Sequence, residues 1–427
     1  MKYYIIAGEA SGDLHGSNLI TELKKLDASA VFRCWGGDKM QEAGGELVKH
    51  YQELAYMGFE EVLMNLRTIF RNLKFCKQDI LEQKPDALIL IDYPGFNLRI
   101  AKWAKQKGLK IIYYISPQVW AWKSNRVKSM KQCIDKMLVI LPFEKDYYKN
   151  KWNWEVEYVG HPLVEVIEKS QESGVTSRES GVTSRESGVT SRESGVTSRE
   201  SGVRSSESGL PSVALAKEGA GPALRSLSKG GSREFSDKPI VALLPGSRKQ
   251  EILKKLPMML EVSKSFPAYQ FIVAKAPGLD ESFYDKLLQP FANVSYVNNK
   301  TYDLLMQSKA ALVTSGTATL ETALFAVPEV VCYKGSWLSY QIGRRLVNVK
   351  YISLVNLIMD KLVVKELIQH NLTPENLQKE LEEILHNNER REQIMNDYHS
   401  LKELLGKDGN ASAKAAVSIT HFLSSTT

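Results

Sequence analysis

The chain has 427 residues, enough for two or more ordinary domains, and its 43% hydrophobic and 25% charged residues are a globular balance. A formal charge of +7 suits anionic ligands or an acidic membrane surface, with a lysine-rich solvated face as the plain alternative, and nothing in it asks for nucleic acid. The four cysteines (Cys34, Cys76, Cys133, Cys332) form no C-x-x-C pair or zinc-spaced cluster, Met1–Ala7 is too short for a secretory signal, and no window approaches the ~18 apolar residues of a membrane span. Reduced thiols in the cytoplasm and, at most, peripheral membrane contact are therefore expected.

Short β-rich runs alternate with amphipathic stretches on either side of one unusual segment. In the first half the runs are Tyr3–Ala7, Ala87–Ile91, Ile111–Ile115 and Met137–Leu141; in the second, Ile240–Leu244, Phe271–Ala274, Ala311–Thr314 and Val330–Tyr333. Runs apolar throughout predict strands buried on both faces, as in parallel sheets covered by helices. Two such sets predict two doubly wound α/β domains, at 1–172 and 237–427, with ligands at the carboxyl ends of the strands. Whether the last helices pack back on the first domain stays open. Between the sets, the heptapeptide SGVTSRE occurs four times from Ser173 to Glu200, followed by SGVRSSE at 201–207. One Val and one Gly per unit cannot build a coiled-coil seam, so 173–236 is expected to be a disordered, dispensable insert.

The residues after each run carry the chemistry. Gly8-Glu9-Ala10-Ser11-Gly12-Asp13 turns into a helix start that suits an anion or, equally, is a structural turn capped by Ser11 or Asp13. It is not a G-x-G-x-x-G fingerprint, which disfavours a dinucleotide. In 62–77, Val62, Leu63, Leu66, Ile69, Phe70 and Leu73 share a helical face beside Arg67, Arg71, Lys74 and Lys77, which fits a membrane-surface helix or an ordinary core-facing one. Asp92, in Asp92-Tyr93-Pro94-Gly95-Phe96-Asn97, could accept a hydroxyl proton or cap a turn. Trp120 and Trp122, beside Pro117, could line a sugar or acyl pocket or fill core. His161 reads as structural.

In the second half, Pro245-Gly246-Ser247-Arg248 at a helix start forms a phosphate cradle, since a guanidinium grips two phosphate oxygens at once. Ser315-Gly316-Thr317 offers a second such turn, and Glu321, one helical turn on, could accept both hydroxyls of a ribose. Arg for phosphate and Glu for ribose are coherent for a uridine diphosphate sugar. Asn356 could read a base or a diphosphate, or be a turn residue.

Together these motifs resemble the lipid-A-disaccharide synthase family, inverting glycosyltransferases with two Rossmann-like domains facing a cleft (the GT-B architecture). The markers are AGEASGD at 7–13, DYPGFN at 92–97, YISPQVWAW at 114–122, LPFE at 141–144, GHPL at 160–163, LPGSR at 244–248, SGTATLE at 315–321 and VVKELIQ at 363–369. The resemblance covers 1–167 and 238 to about 400. It implies transfer of a sugar from UDP-2,3-diacylglucosamine to 2,3-diacylglucosamine 1-phosphate, with UDP released, on the cytoplasmic face of the inner membrane. It implies Asp92 as base, and Arg248, Ser315, Gly316, Thr317, Glu321 and Asn356 at UDP. It places Glu9, Ser11, Gly12, Asn97 and Trp120 on the sugar or acceptor side, and Leu63, Leu66, Arg67, Ile69, Phe70 and Arg71 at the membrane. No cofactor is implied, and the chain lacks an Asp-x-Asp metal signature. Residues 353–356 read Ser-Leu-Val-Asn where the family has Ser-Leu-Pro-Asn, and Gly95 stands where an acidic residue can occur. Oligomeric state is not legible; a homodimer is one option. A UDP-N-acetylglucosamine 2-epimerase and a non-catalytic peripheral lipid-binding protein remain as rivals.

Overall fold

The computed structural model describes residues 1–54, 66–121, 123–172, 238–276, 279–335, 349–407 and 409–425. The repeat segment at 173–236, Leu63 and Trp122 lie outside the described residues. The chain divides into two compact units: Met1–Val166 with Ser336–Val363 and Asn396–Thr427, and Ile167–Gly335 with Val364–Met395.

The first unit holds a seven-stranded sheet in the order β3-β2-β1-β4-β5-β6-β7. Its strands are β1 (Lys2–Ala7), β2 (Val31–Gly36), β3 (Glu46–His50), β4 (Ala87–Ile91), β5 (Ile111–Tyr114), β6 (Lys136–Val139) and β7 (Glu157–Tyr158). All pair in parallel. Helices α1 (Ala10–Leu26), α2 (Asp38–Glu42), α3 (Leu66–Gln83), α4 (Pro94–Gln106), α5 (Arg126–Cys133) and α6 (Pro142–Trp152) connect them. β4 is buried along its whole length because both faces are covered. On one face, Leu73, Cys76 and Ile80 of α3, Ile100 and Ala104 of α4, and Val127 and Met130 of α5 pack against Tyr4, Ile6, Leu88 and Leu90. α1 is covered by the last helix of the chain, whose Ala415, Ile419 and Leu423 are buried.

The second unit holds a six-stranded sheet in the order β10-β9-β8-β11-β12-β13. Its strands are β8 (Ile240–Leu244), β9 (Gln270–Lys275), β10 (Val294–Asn298), β11 (Ser308–Thr314), β12 (Glu329–Tyr333) and β13 (Lys365–Ile368), again all parallel. Its helices are α7 (Lys249–Ser263), α8 (Glu281–Leu288), α9 (Thr301–Leu305) and α10 (Thr317–Leu324). They are followed by α11 (Leu354–Met359) of the first unit, α12 (Pro374–His386) of the second, α13 (Asn388–Gly406), which runs from the second into the first, and the last helix, α14 (Ala411–Ser424).

The eight expected runs all form strands. Two end early: β5 stops at Tyr114, and β6 stops at Val139, with Leu141 instead preceding α6, where Glu144 Oε2 accepts its N–H at 3.1 Å. Five strands carried no clear apolar run: β2, β3, β7, β10 and β13. β3, β7, β10 and β13 are edge strands, and β2 carries Arg33, so none is apolar throughout. In each sheet the strand order reverses once, between β1 and β4 and between β8 and β11. Such switch points open a crevice beyond the carboxyl ends of the two strands, the usual ligand position in open α/β sheets.

Candidate active site

At the first switch point Ala7 pairs with Ile91, so Gly8 and Asp92 leave the sheet side by side. Asp92 and Tyr93 both take left-handed backbone conformations, φ +43° and +47°. Non-glycine residues adopt this region at a cost, so two in succession must be held from outside. Asn97 holds them. Its side-chain N–H groups donate to Asp92 O at 2.8 Å, Ile91 O at 3.1 Å and Ile6 O at 3.3 Å, while Tyr113 Oη donates to Asp92 O at 2.5 Å. Gly8 is required because the Tyr93 ring fills the place of its side chain: an added Cβ would lie 2.3 Å from Tyr93 Cγ. Burial, reinforced by the Glu9 carboxylate, pushes the Asp92 carboxyl up to about 7 against one hydrogen bond from the Tyr93 N–H. A carboxyl poised there can take a proton near neutral pH.

Of the residues expected on the sugar side, Asn97 and Gly12 are buried and Trp120 is half-buried. Asn97 is fully buried, and its N–H groups, engaged as above, shape the turn from below. Gly12 is buried too, and serves close helix–strand packing, since a Cβ there would meet Ala7 Cβ at 3.0 Å. Trp120 stands half-buried, edge-on to Phe143 with ring centroids 5.0 Å apart. Glu9 and Ser11 remain accessible at the head of α1. Asp13 is buried and accepts from the N–H groups of Gly37, Met40 and Lys39 at 2.7, 3.1 and 3.2 Å, capping α2. That role was not legible locally, because the helix it caps begins 25 residues further on. His161 Nδ1 accepts the Leu163 N–H at 3.2 Å, and burial together with His15 pushes the ring down to about 3. It is structural, as expected.

At the second switch point β8 and β11 end together, with Leu244 opposite Val313. Gly246 has φ +109°, Arg248 precedes α7 as its cap residue, and both Ser247 and Arg248 are exposed. The neighbouring turn has Gly316 at φ +144° with open space where a side chain would be, and exposed Thr317 starts α10. Two glycine-bearing turns at helix starts thus lie side by side, a setting suited to phosphate, with the Ser315 N–H donating to Cys332 O at 3.3 Å. Glu321 faces Tyr302, whose hydroxyl donates to it at 3.4 Å, and burial raises its carboxyl above the ordinary range. Asn356 belongs to the first unit and departs from expectation: it is fully buried, and its Oδ1 accepts the Val363 N–H at 2.8 Å. Through that bond it braces the 353–363 turn. Among the described residues no three His, Cys, Asp or Glu side chains gather as a metal ion would need.

The basic helix α3 also differs from the single apolar face expected of it. Leu73 is buried and Ile69 half-buried against the core, whereas Phe70 is 61% and Phe75 46% exposed. Arg67, Arg71 and Lys74 are exposed on the same side. The helix is pinned to the sheet through Asp79, which accepts from Tyr4 Oη at 2.6 Å and from Arg33 Nη2 at 2.7 Å. Two faces therefore coexist, one apolar and packed, one aromatic and basic. Among the described residues no helix is long and apolar enough to cross a membrane.

A family model described as lipid-A-disaccharide synthetase matches residues 3–210 and 229–420. Lipid-A-disaccharide synthase of Syntrophus aciditrophicus is 36% identical over 422 residues, covering 97% of this chain and 96% of the relative. That of Geobacter metallireducens is 36% identical over 418 residues, covering 97% and 95%. Among solved structures, the UDP-GlcNAc 2-epimerase of Neisseria meningitidis bound to UDP-GlcNAc is similar with a TM-score of 0.61 at 12% identity, covering 99% of this chain and 100% of that one. The glycotransferase of kitacinnamycin is similar with a TM-score of 0.59 at 12% identity, covering 99% of each. The solved structures share the fold; the sequence matches run nearly end to end, and by them the chain belongs to the lipid-A-disaccharide synthetase family.

Proposed function

We propose that this glycosyltransferase joins UDP-2,3-diacylglucosamine to 2,3-diacylglucosamine 1-phosphate, with Asp92 as the base. The acceptor's 6-hydroxyl attacks the anomeric carbon of the donor. Its proton passes to Asp92, the new C–O bond forms with inversion, and the bond to the diphosphate breaks with its electron pair leaving on UDP. Arg248 and the N–H groups of Gly316 and Thr317 take up the charge that grows on the diphosphate. Glu321 accepts from the ribose hydroxyls. Glu9 and Ser11 lie at the sugar side. The observation that carries this reading is Asp92 itself, a carboxyl held in a strained turn at a switch point and pushed up to about 7.

Both substrates are lipids, and the exposed Phe70 and Phe75 beside Arg67, Arg71 and Lys74 suit the anionic surface in which they lie. We therefore place the chain peripherally on the cytoplasmic face of the inner membrane. The test is UDP release from the diacyl donor, measured with and without the acceptor. Release only with the acceptor, and loss of it in Asp92→Asn with UDP binding intact, is expected; full activity in Asp92→Asn refutes the base. Epimerisation of UDP-GlcNAc, with no transfer, would favour the rival enzyme.

A further inference from the structure

Beneath the second switch point lies a cation that this reaction scheme does not use. Lys255, two turns into α7, is 4% exposed. Lysine is almost never so buried unless paired, and a Leu or Met would fill the volume without desolvating a charge. Its Nζ hydrogen-bonds Thr314 Oγ1, on the last residue of β11, and lies 3.7 Å from Glu251 Oε2. Glu251 Oε1 in turn lies 3.6 Å from Arg248 Nη1. Gly246 closes the cluster from above: a Cβ built on it would lie 2.9 Å from Glu251 Oε2, 3.4 Å from Thr314 Cγ2 and 3.7 Å from Lys255 Nζ. The ammonium thus sits directly under the Gly246–Arg248 turn and is tied to the strand that delivers the Ser315–Thr317 turn.

We infer that Lys255 is a positioning residue for the nucleotide diphosphate: its ammonium clamps the two glycine turns together and neutralises Glu251. The second action matters because the Glu251 carboxylate lies against the cradle. When Arg248 turns from Glu251 to a phosphate, an uncompensated carboxylate would be left facing the incoming charge. Lys255 keeps that carboxylate balanced from below, so Arg248 can be released. Burial lowers the affinity of Lys255 for its proton, and Glu251 offsets part of that loss, as a working ion pair requires.

The inference rests on reading Arg248 and the Ser315–Thr317 turn as the diphosphate site, and the experiment separates the two. UDP is titrated by calorimetry into the full chain as wild type, Lys255→Met and Arg248→Ala, each melted beforehand, and the steady-state constants for the diacyl donor are measured. Lys255→Met should weaken UDP about tenfold and raise the donor KM similarly, with kcat changed less than about threefold and the acceptor KM unchanged. Wild-type UDP affinity in Lys255→Met, with Arg248→Ala weakened, overturns the role of Lys255 alone. Wild-type affinity in both overturns the cradle itself. Should Lys255→Met fail to fold, Thr314→Val removes the hydroxyl that receives the ammonium; about threefold weaker UDP binding is expected, and unchanged affinity overturns the clamp.

Discussion

Replacing Asp92 by Asn should abolish transfer and at the same time stabilise the first unit, by an amount that grows with pH. The carboxyl is raised from an ordinary 3.8 to about 7, so between those values the folded chain holds a proton that the unfolded chain releases. Stability therefore falls as pH climbs through that window and stays low above it. At about 1.4 kcal/mol per unit, the burden is on the order of 4 kcal/mol at pH 8 and nearly absent at pH 3.5. Asn removes the charge, keeps the shape, and adopts left-handed backbone more readily than most residues, so the strained turn at φ +43° survives. For a domain of this size a few degrees of melting temperature correspond to each kcal/mol. The assay is thermal unfolding of wild type and Asp92→Asn at pH 5 and pH 8, beside the pH profile of UDP release. The variant should gain about 10 °C or somewhat less at pH 8 and less than that at pH 5, and the wild-type rate should rise with pH through about 7. A melting difference equal at both pH values, or a rate flat from pH 5.5 to 8, would refute the reasoning.

Asn97→Ala should cost about 2–3 kcal/mol in melting experiments, because the carbonyls of Ile6, Ile91 and Asp92 lose their shared donor, and kcat should fall with it. Gly246→Ala imposes a side chain at φ +109° close to Glu251 and Thr314; calorimetry should show weaker UDP binding and unfolding a loss of about 1–2 kcal/mol. Phe70→Asp should reduce sedimentation with anionic vesicles several-fold, yet shift stability by no more than about 0.5 kcal/mol, since the ring is 61% exposed. Unchanged vesicle binding there would remove α3 from the membrane surface.

The two sheets were legible because most of their central strands carry runs apolar on both faces, a pattern that buried parallel strands need: Ala87–Ile91 and Ile240–Leu244 are buried at all positions. The candidate residues were legible for a related reason. Chemistry in such sheets gathers where strands end, so Asp92 and Arg248 could be singled out from their place after a run. Edge strands such as β10 and β13 were not, because an edge lacks the second covered flank that would make its residues uniformly apolar.

Local sequence could not divide the groups that act from those that hold. Asn97 and Asn356 read as ligand groups from motif and chemistry, yet each is fully buried with side-chain hydrogen bonds to backbone groups, a fact that depends on which strand ends surround them. Asp13 and Asp92 are both single aspartates at a turn; one caps a helix 25 residues away and the other sits against Glu9 with a raised pKa. Nothing in the sequence around Lys255 sets it apart from other helix lysines; only the fold brings Thr314 of β11 against it beneath Gly246. Residue type and spacing thus determined the sheets and where their strand ends fall. Burial and the partners supplied by distant segments decided what each polar group there does, because the energy of a charge depends on the dielectric and the hydrogen bonds around it, and only the folded chain assembles these.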